Sequence, residues 1–405
     1  MPDDSFTMEY MKKRVYALIM SALICGGCMQ QTEIRRSGDS EAVIWCATDI
    51  HYLSETLYDR GKAFQRLLKN NDGKLFEYDR EIMEEMTKQV IEGKPEAFVM
   101  LGDLTFNGEM ESLQELKGYF QRMEEAGVPV IVIPGNHDIS YPYANAYFGD
   151  IAKSVPAVTS VQFRQEMQDF GYGESIAKDP DSCSYVYALR DDLWILTLDA
   201  NTEAAPCALQ DSTKQWLKKQ LAEAAEKQIT VMTISHQNVL KQNDMMYMGY
   251  VMNDYEEVQQ ILKDGGVFLH LSGHSHLQHT SVSEGLTDIC NEALSVWPLS
   301  YGVITLKPGQ TDFSYEKKSL GILQEESRER FDETILRTAV PTLEEIDIPQ
   351  EIREQMTDFA VRFNEIFYTG AEADPDELRS DPAYGYWRQY AGDSFWYLYM
   401  LNALK

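Results

Sequence analysis

Five of the seven histidines in this chain stand just behind short apolar runs, in company with aspartate, asparagine and glycine. Asp49-Ile50-His51 follows the run at 42–48, and Gly102-Asp103 follows the run at 97–101. Pro134-Gly135-Asn136-His137-Asp138 follows 128–133, His236 comes just after 230–234, and Gly273-His274-Ser275-His276 comes just after 267–271. Each piece alone is a weak signal, since short motifs recur by chance. Five in order, each at the same place relative to an apolar run, ask for one explanation. Carboxylate and imidazole together favour Mn, Fe or Zn over Ca or a thiolate-type site. Asp103 has two oxygens and can bridge two cations, which a single imidazole nitrogen cannot. In Asp-x-His on an extended strand end, residues i and i+2 point to the same side, and Gly-His-Ser-His repeats that spacing with two imidazoles. The residue types therefore suit a pair of metal ions. Gly102, Gly135 and Gly273 fit turns where backbone crowds such a site.

These side chains need strands to carry them. The five runs, with a sixth at 193–198, are short and rich in Val and Ile, as buried strands are. Helical patterns lie near 79–92, 109–126, 211–226 and 254–264, with Asp211-Ser212 starting the third and Asp264-Gly265-Gly266 stopping the fourth. The alternation predicts βαβ units and a mainly parallel sheet. In such sheets ligands bind outside the carboxyl ends of the strands, where the five motifs fall. Residues 184–199 read as a hairpin turning at Asp191-Asp192, and strand character returns over 296–306. From about 310 the composition shifts: residues 311–405 hold 20 acids, 10 bases and no histidine. Helical spacing at 351–368 and an aromatic end predict a main domain over 42–309 and a small helical region over 310–405 packed on it.

The ordered set Asp49-x-His51, Gly102-Asp103, Gly135-Asn136-His137-Asp138, His236 and Gly273-His274-x-His276 resembles the calcineurin-like metallophosphoesterase family, over residues 49–276. The resemblance implies an α/β fold built as a four-layer α-β-β-α sandwich, and two divalent or trivalent ions of Mn, Fe or Zn. By that resemblance Asp49, His51 and His276 hold one ion, Asn136, His236 and His274 hold the other, and Asp103 bridges them. His137 is then the catalytic partner of the scissile ester, and Asp138 is the second catalytic candidate, placed to orient His137. The implied activity is hydrolysis of a phosphodiester or phosphomonoester by a bridging hydroxide. The alternative is a surface lipoprotein that binds phosphorylated ligands at an idle site. Nucleotidase-type relatives carry Glu where Asp138 stands. Purple acid phosphatases carry a tyrosine ligand where Phe106 stands, so no tyrosinate–iron colour is expected. The Met- and Tyr-rich stretch at 243–250 is a candidate wall for a leaving group, set against an ordinary packed loop.

The 36 Lys and Arg against 65 Asp and Glu give a net charge of -29. That excludes a general nucleic-acid surface, because phosphate contacts need clustered bases. A phosphorylated small molecule or lipid must therefore meet positive charge supplied by bound cations. Two divalent ions with Asp49, Asp103 and a hydroxide leave about +1 at the site. At the other end, Lys12, Lys13 and Arg14 precede an apolar run at 15–24 and then Cys25-Gly26-Gly27-Cys28. This pattern predicts a lipoprotein-type signal over 1–27, Cys28 as the lipidated residue and a polar linker over 28–41. The chain is then exported and meets the membrane only through that anchor. Export permits disulfides among Cys46, Cys183, Cys207 and Cys290, although Cys46 reads as a buried small hydrophobe.

Overall fold

The computed structural model describes residues 40–245 and 247–404. The signal at 1–27 and most of the linker lie outside the described residues. Strands β1 (Ala42–Ala47), β2 (Ala97–Met100) and β3 (Val130–Val132) open a first sheet. A second sheet takes β4 (Ala177–Lys178), β5 (Tyr185–Arg190), β6 (Leu193–Leu198), β7 (Thr230–Ser235), β8 (Leu269–Ser272), β9 (His279–Ser283) and β10 (Leu286–Cys290). The chain then returns to the first sheet with β11 (Ser300–Leu306) and β12 (Phe313–Ser319). The orders are β12-β11-β1-β2-β3 and β9-β10-β8-β7-β6-β5-β4.

Both sheets mix parallel and antiparallel pairing. β1 pairs parallel with β2 and β2 with β3, while β11 pairs antiparallel with β1 and with β12. In the second sheet β6, β7, β8 and β10 run parallel, flanked by antiparallel β4, β5 and β9. One mainly parallel sheet, expected from the alternation, is therefore replaced by two mixed ones. Strand–helix alternation encodes only the central crossovers; hairpins such as β5–β6 and β9–β10 supply the edges. β12 also carries the first sheet past residue 310, so the helices begin only at 324.

Burial follows the two-residue period of the strands. Ile44 and Cys46 of β1 join Val99, Ile131, Ile195 and Ile234 in the layer between the sheets. Their neighbours Trp45 and Ala47 face outward to helices α1 (Asp79–Gly93) and α2 (Met110–Glu125). On the far side α3 (Asp211–Glu226) and α4 (Tyr255–Asp264) bury Leu217, Leu221, Val258 and Leu262 against Trp194 and Leu196. The result is helix, sheet, sheet, helix. Helices α5 (Gln324–Glu344), α6 (Gln350–Thr369), α7 (Pro375–Ser380), α8 (Pro382–Tyr390) and α9 (Phe395–Ala403) form a separate aromatic core around Phe359, Phe363, Trp387 and Tyr399. Ala293 and Val296, just before β11, plug into that core and tie it to the sandwich. Cys46, Cys183, Cys207 and Cys290 are all buried and free.

Candidate metal centre

The carboxyl ends of β1, β2, β3, β7 and β8 meet at one place. Three groups of donor atoms, each within 4.8 Å of one another, overlap there: Asp49, His51 and His276; His51, Asp103 and His137; Asp103, His236 and His274. His51 Nε2 lies 3.1 Å from His276 Nε2 and 3.6 Å from Asp49 Oδ1. Asp103 Oδ2 lies 3.7 Å from His51 Nε2 and 3.2 Å from His236 Nε2, between the two ends of the cluster. Asn136 Oδ1 is 3.1 Å from His236 Nε2. The structure thus brings Asp49, His51, Asp103, Asn136, His137, His236, His274 and His276 to a single neighbourhood.

Hydrogen bonds fix which atom of each group is presented. Thr48 Oγ1 and the His274 N–H donate to Asp49 Oδ2, at 2.6 and 2.9 Å, leaving Oδ1 for the centre. The His137 N–H donates to Asp103 Oδ1 at 2.7 Å, leaving Oδ2. His236 Nδ1 donates to the Leu101 carbonyl at 2.8 Å, so Nε2 is the nitrogen turned to Asp103 and the one a metal ion would take in place of a proton. His274 Nε2 donates to the Gly249 carbonyl at 2.7 Å, so there the lone pair is on Nδ1. A carbonyl can only accept, which settles both tautomers. Ser295 Oγ donates to the Asp49 carbonyl at 2.8 Å and steadies the strand end.

The convergence is not produced by strand alternation. Asp49, His51, Asp103, His274 and His276 all have left-handed backbones, with φ of 54°, 48°, 47°, 67° and 54°. An extended strand end was expected to aim Asp49 and His51 together; a tight left-handed turn does it instead. Each such residue costs about 1–3 kcal/mol, and strain of this kind gathers at functional sites. Glycine lets the pieces close up. A Cβ on Gly135 would lie 2.2 Å from Asp103 Oδ1, and one on Gly273 would lie 2.0 Å from Thr48 Oγ1.

The electrostatics suit cations. Burial opposes ionisation of Asp49 and Asp103, yet the surrounding imidazoles hold both carboxyls well below the usual range, His276 and His236 acting on Asp49 and His236 and His137 on Asp103. Burial, and after it the Lys74 ammonium, holds His51 well below its usual value. Burial pushes His274 down to about 4, with His236 assisting. Burial works against His236 too, but Asp103 and Asp49 push it up to about 9. The carboxylate pair thus draws positive charge to its centre, here a proton. A transition-metal ion that displaces this proton meets imidazole lone pairs beside ionised carboxylates, the donors it requires.

A family model for the calcineurin-like phosphoesterases matches residues 42–278, more than half of the chain. The chain belongs to the calcineurin-like phosphoesterase family. The family's fold is seen in a dimetal phosphatase from Danio rerio, which is 14% identical, covers 70% of this chain and 97% of its own, and superposes with a TM-score of 0.51. The protein TT1561 of Thermus thermophilus is 13% identical over 71% of this chain and 100% of its own, with a TM-score of 0.40. At 14% identity the likeness to the Danio rerio protein is one of fold. No curated protein matches the sequence.

Within this phosphoesterase, Asp138 is not the residue that orients His137. Its buried carboxylate accepts from the N–H groups of Leu104, Thr105 and Gly135 and from Thr105 Oγ1, at 2.7 to 2.9 Å. Asp138 therefore staples the loop after β2 to the loop after β3. His137 Nδ1 is held by the Phe106 carbonyl at 2.7 Å and Asn107 Oδ1 at 3.0 Å, and Tyr141 stacks on its ring at 4.6 Å. Its Nε2 is buried and, among the described residues, has no hydrogen-bond partner. Asn107, Tyr141 and Ser295 lie outside the motifs and carried no signal in the sequence. Asp288 did: a lone acid in the apolar strand Leu-Thr-Asp-Ile-Cys, it accepts from the Val239 and Leu240 N–H groups and anchors the loop after His236. Phe106 turns its ring away, onto Phe76 at 4.4 Å. Tyr52 donates to Glu115, and His270 is a core residue between Thr233 and Ser235. In the 243–250 loop Tyr250 lies 5.5 Å from the His274 ring and Met248 is 76% exposed.

Proposed function

We propose that this chain hydrolyses phosphoesters at the centre described, outside the cytoplasm. One observation carries the catalytic reading: Asp103 Oδ2 stands between His51 and His236, which belong to different donor groups. Asp49, His51 and His276 would hold one ion, and Asn136, His236 and His274 the other, with Asp103 shared. When bound, two such ions lower the pKa of water and clamp the phosphoryl oxygens of an in-line displacement.

The chain's own residues do the rest. The left-handed turns at Asp49, His51 and Asp103 hold these donors together before any ion binds. The Phe106 carbonyl and Asn107 fix the His137 ring beside Asp103 and His51, with Nε2 left without a protein partner among the described residues. Burial leaves His137 at about 4 in the free protein; a phosphoester anion beside Nε2 works the other way, and the proton so gained goes to the leaving oxygen. Tyr250 and the exposed Met248 offer apolar surface beside His274 for the leaving group.

The test is metal analysis of the purified chain together with turnover of mono- and bis-nitrophenyl phosphate in Mn. About two ions per chain and turnover of at least one ester are expected. Binding of phosphate compounds without turnover, across several metals, would instead favour the idle binding protein. Export rests on Lys12 to Arg14, the apolar run at 15–24 and Cys28. Cys28→Ala is expected to move the protein from the membrane fraction to the soluble one.

A further inference from the structure

Asn136 is the one amide among the metal-ligand candidates, and an amide has to be aimed. Its oxygen can hold an ion and its nitrogen cannot, so a half-turn of the side chain removes the ligand. Two residues outside the motifs stand beside it. Gln237 follows His236 just after β7, and Asn201 lies three positions past the end of β6. Asn201 is 2% exposed, Gln237 1% and Asn136 1%, so these amides must find their partners within the protein.

Asn201 and Gln237 pair reciprocally. Asn201 Nδ2 donates to Gln237 Oε1 at 3.1 Å, and Gln237 Nε2 donates to Asn201 Oδ1 at 2.6 Å. Asn201 Nδ2 also donates to the Pro134 carbonyl at 3.2 Å, two residues before Asn136. That carbonyl has no hydrogen to give, so the contact fixes which end of Asn201 is nitrogen and, through the pair, which end of Gln237 is. The other Gln237 Nε2 hydrogen is thereby turned to Asn136 Oδ1, at 3.5 Å. A contact of this length supplies direction more than strength. Asn136 Oδ1 in turn lies 3.1 Å from His236 Nε2. The backbone behind Gln237 is fastened as well. Ser235 Oγ donates its only hydrogen to the Gln237 carbonyl at 2.5 Å, so it accepts from His270 Nε2 at 2.8 Å, and His270 Nδ1 accepts from Thr233 Oγ1 at 2.8 Å. The buried His270 of β8 thus braces the turn that carries Gln237.

We propose that Asn201 and Gln237 are positioning residues for the ion held by Asn136, His236 and His274: acting as one amide pair, they keep Asn136 Oδ1 turned to that ion and leave the ion beside Asp49, His51 and His276 untouched. This rests on the two-ion reading above. Among the described residues the hydrogen bonds of the pair run to Pro134 and Asn136, and none runs to Asp49, His51 or His276. Partners that orient a ligand in this way tune the affinity of the ion it holds. The pair is also uncharged, so it aims the ligand without adding negative charge beside a phosphate anion.

The experiment uses the full chain as wild type, Gln237→Met, Asn201→Leu and the double variant. Each is stripped of metal with a chelator and titrated with Mn in a calorimeter, its metal-free melting temperature is recorded, and crystals soaked in Mn report which ion is lost. Gln237→Met is expected to weaken one of the two ions about 10–100-fold and to leave the other within about threefold. The weakened ion is the one beside Asn136, His236 and His274. Because the two amides act as a unit, the double variant is expected to lose no more than about threefold beyond the larger single loss. Gln237→Leu carries the same comparison should Gln237→Met not fold. Equal weakening of both ions overturns the proposal, and so do losses that simply add in the double variant. A lowered melting temperature with both Mn affinities level marks a purely structural pair and overturns it too. A wild type that binds two ions while the variants match it defeats the role of the amide pair alone. A wild type that binds no Mn, or a single ion, defeats the two-ion reading and this proposal with it.

Discussion

The strand-end centre and the helical region at 324–403 are built on opposite principles. At the centre, ionisable side chains are packed together, buried, and held on left-handed backbone that resists them. In the helical region large rings fill ordinary space: Trp387 is fully buried, with its indole N–H on the Met356 carbonyl at 2.8 Å. One region stores strain and desolvation cost, and the other contributes burial. Stability and function are therefore drawn from different parts of the chain, and the two meet where Arg330 reaches from α5 to the Lys74 carbonyl and, at 2.6 Å, to Glu77.

The contrast can be broken most severely at the shared aspartate. Asp103→Ala is expected to reduce turnover to background and to lose bound metal with it. By metal analysis and a thermal melt, the fold survives, because the removed group was a buried charge surrounded by others. His137→Ala separates chemistry from metal binding: turnover falls about 10²–10⁴-fold while metal content holds. Equal metal loss in the two variants would show that His137 is a ligand.

Smaller changes sharpen the comparison. Arg330→Leu removes the tie between the regions without touching a donor. KM for a phosphoester is expected to rise about three- to tenfold with kcat and metal content level, as the segment at 71–78, held to Ser295 through the Leu75 N–H, loosens. A kcat effect equal to the KM effect would place Arg330 in the chemistry instead. Glu109, just before α2, is buried, accepts from the Asn107 N–H at 2.8 Å, and is pushed up to about 8 by its burial. A carboxyl raised in the folded state binds its proton more tightly there than in the unfolded chain. Stability from this group is full below about 4.5 and is lost as pH rises through about 8. Glu109→Gln should flatten that fall, with a gain at pH 8 of at most about 4 kcal/mol in denaturant melts. An unchanged pH profile would mean that Glu109 ionises freely in the folded protein.

Legibility followed the same division. The metal-ligand candidates could be read because imidazole and carboxylate recur behind apolar runs, and the strands and four sandwich helices because their apolar period is strong. The edge strands were less legible: β9 is polar and largely exposed, and β12 alternates weakly, so neither resembles a buried run. The role of Asp138 was misread because adjacency to His137 in sequence says nothing of direction; its carboxylate turned toward three backbone N–H groups. Asn107 and Ser295 were invisible, since each reaches the centre by a loop path that no spacing encodes. The left-handed turns were hidden for the same reason, because they occur at aspartate and histidine rather than glycine.

The central claim is that one carboxylate is shared by two cations. Crystals of the full chain soaked in Mn, with anomalous scattering recorded at the Mn edge, test it directly. Two peaks are expected, flanking Asp103 Oδ2, one beside His51 and His276 and the other beside Asn136, His236 and His274. A single peak, or peaks that leave Asp103 uncoordinated, would contradict the account.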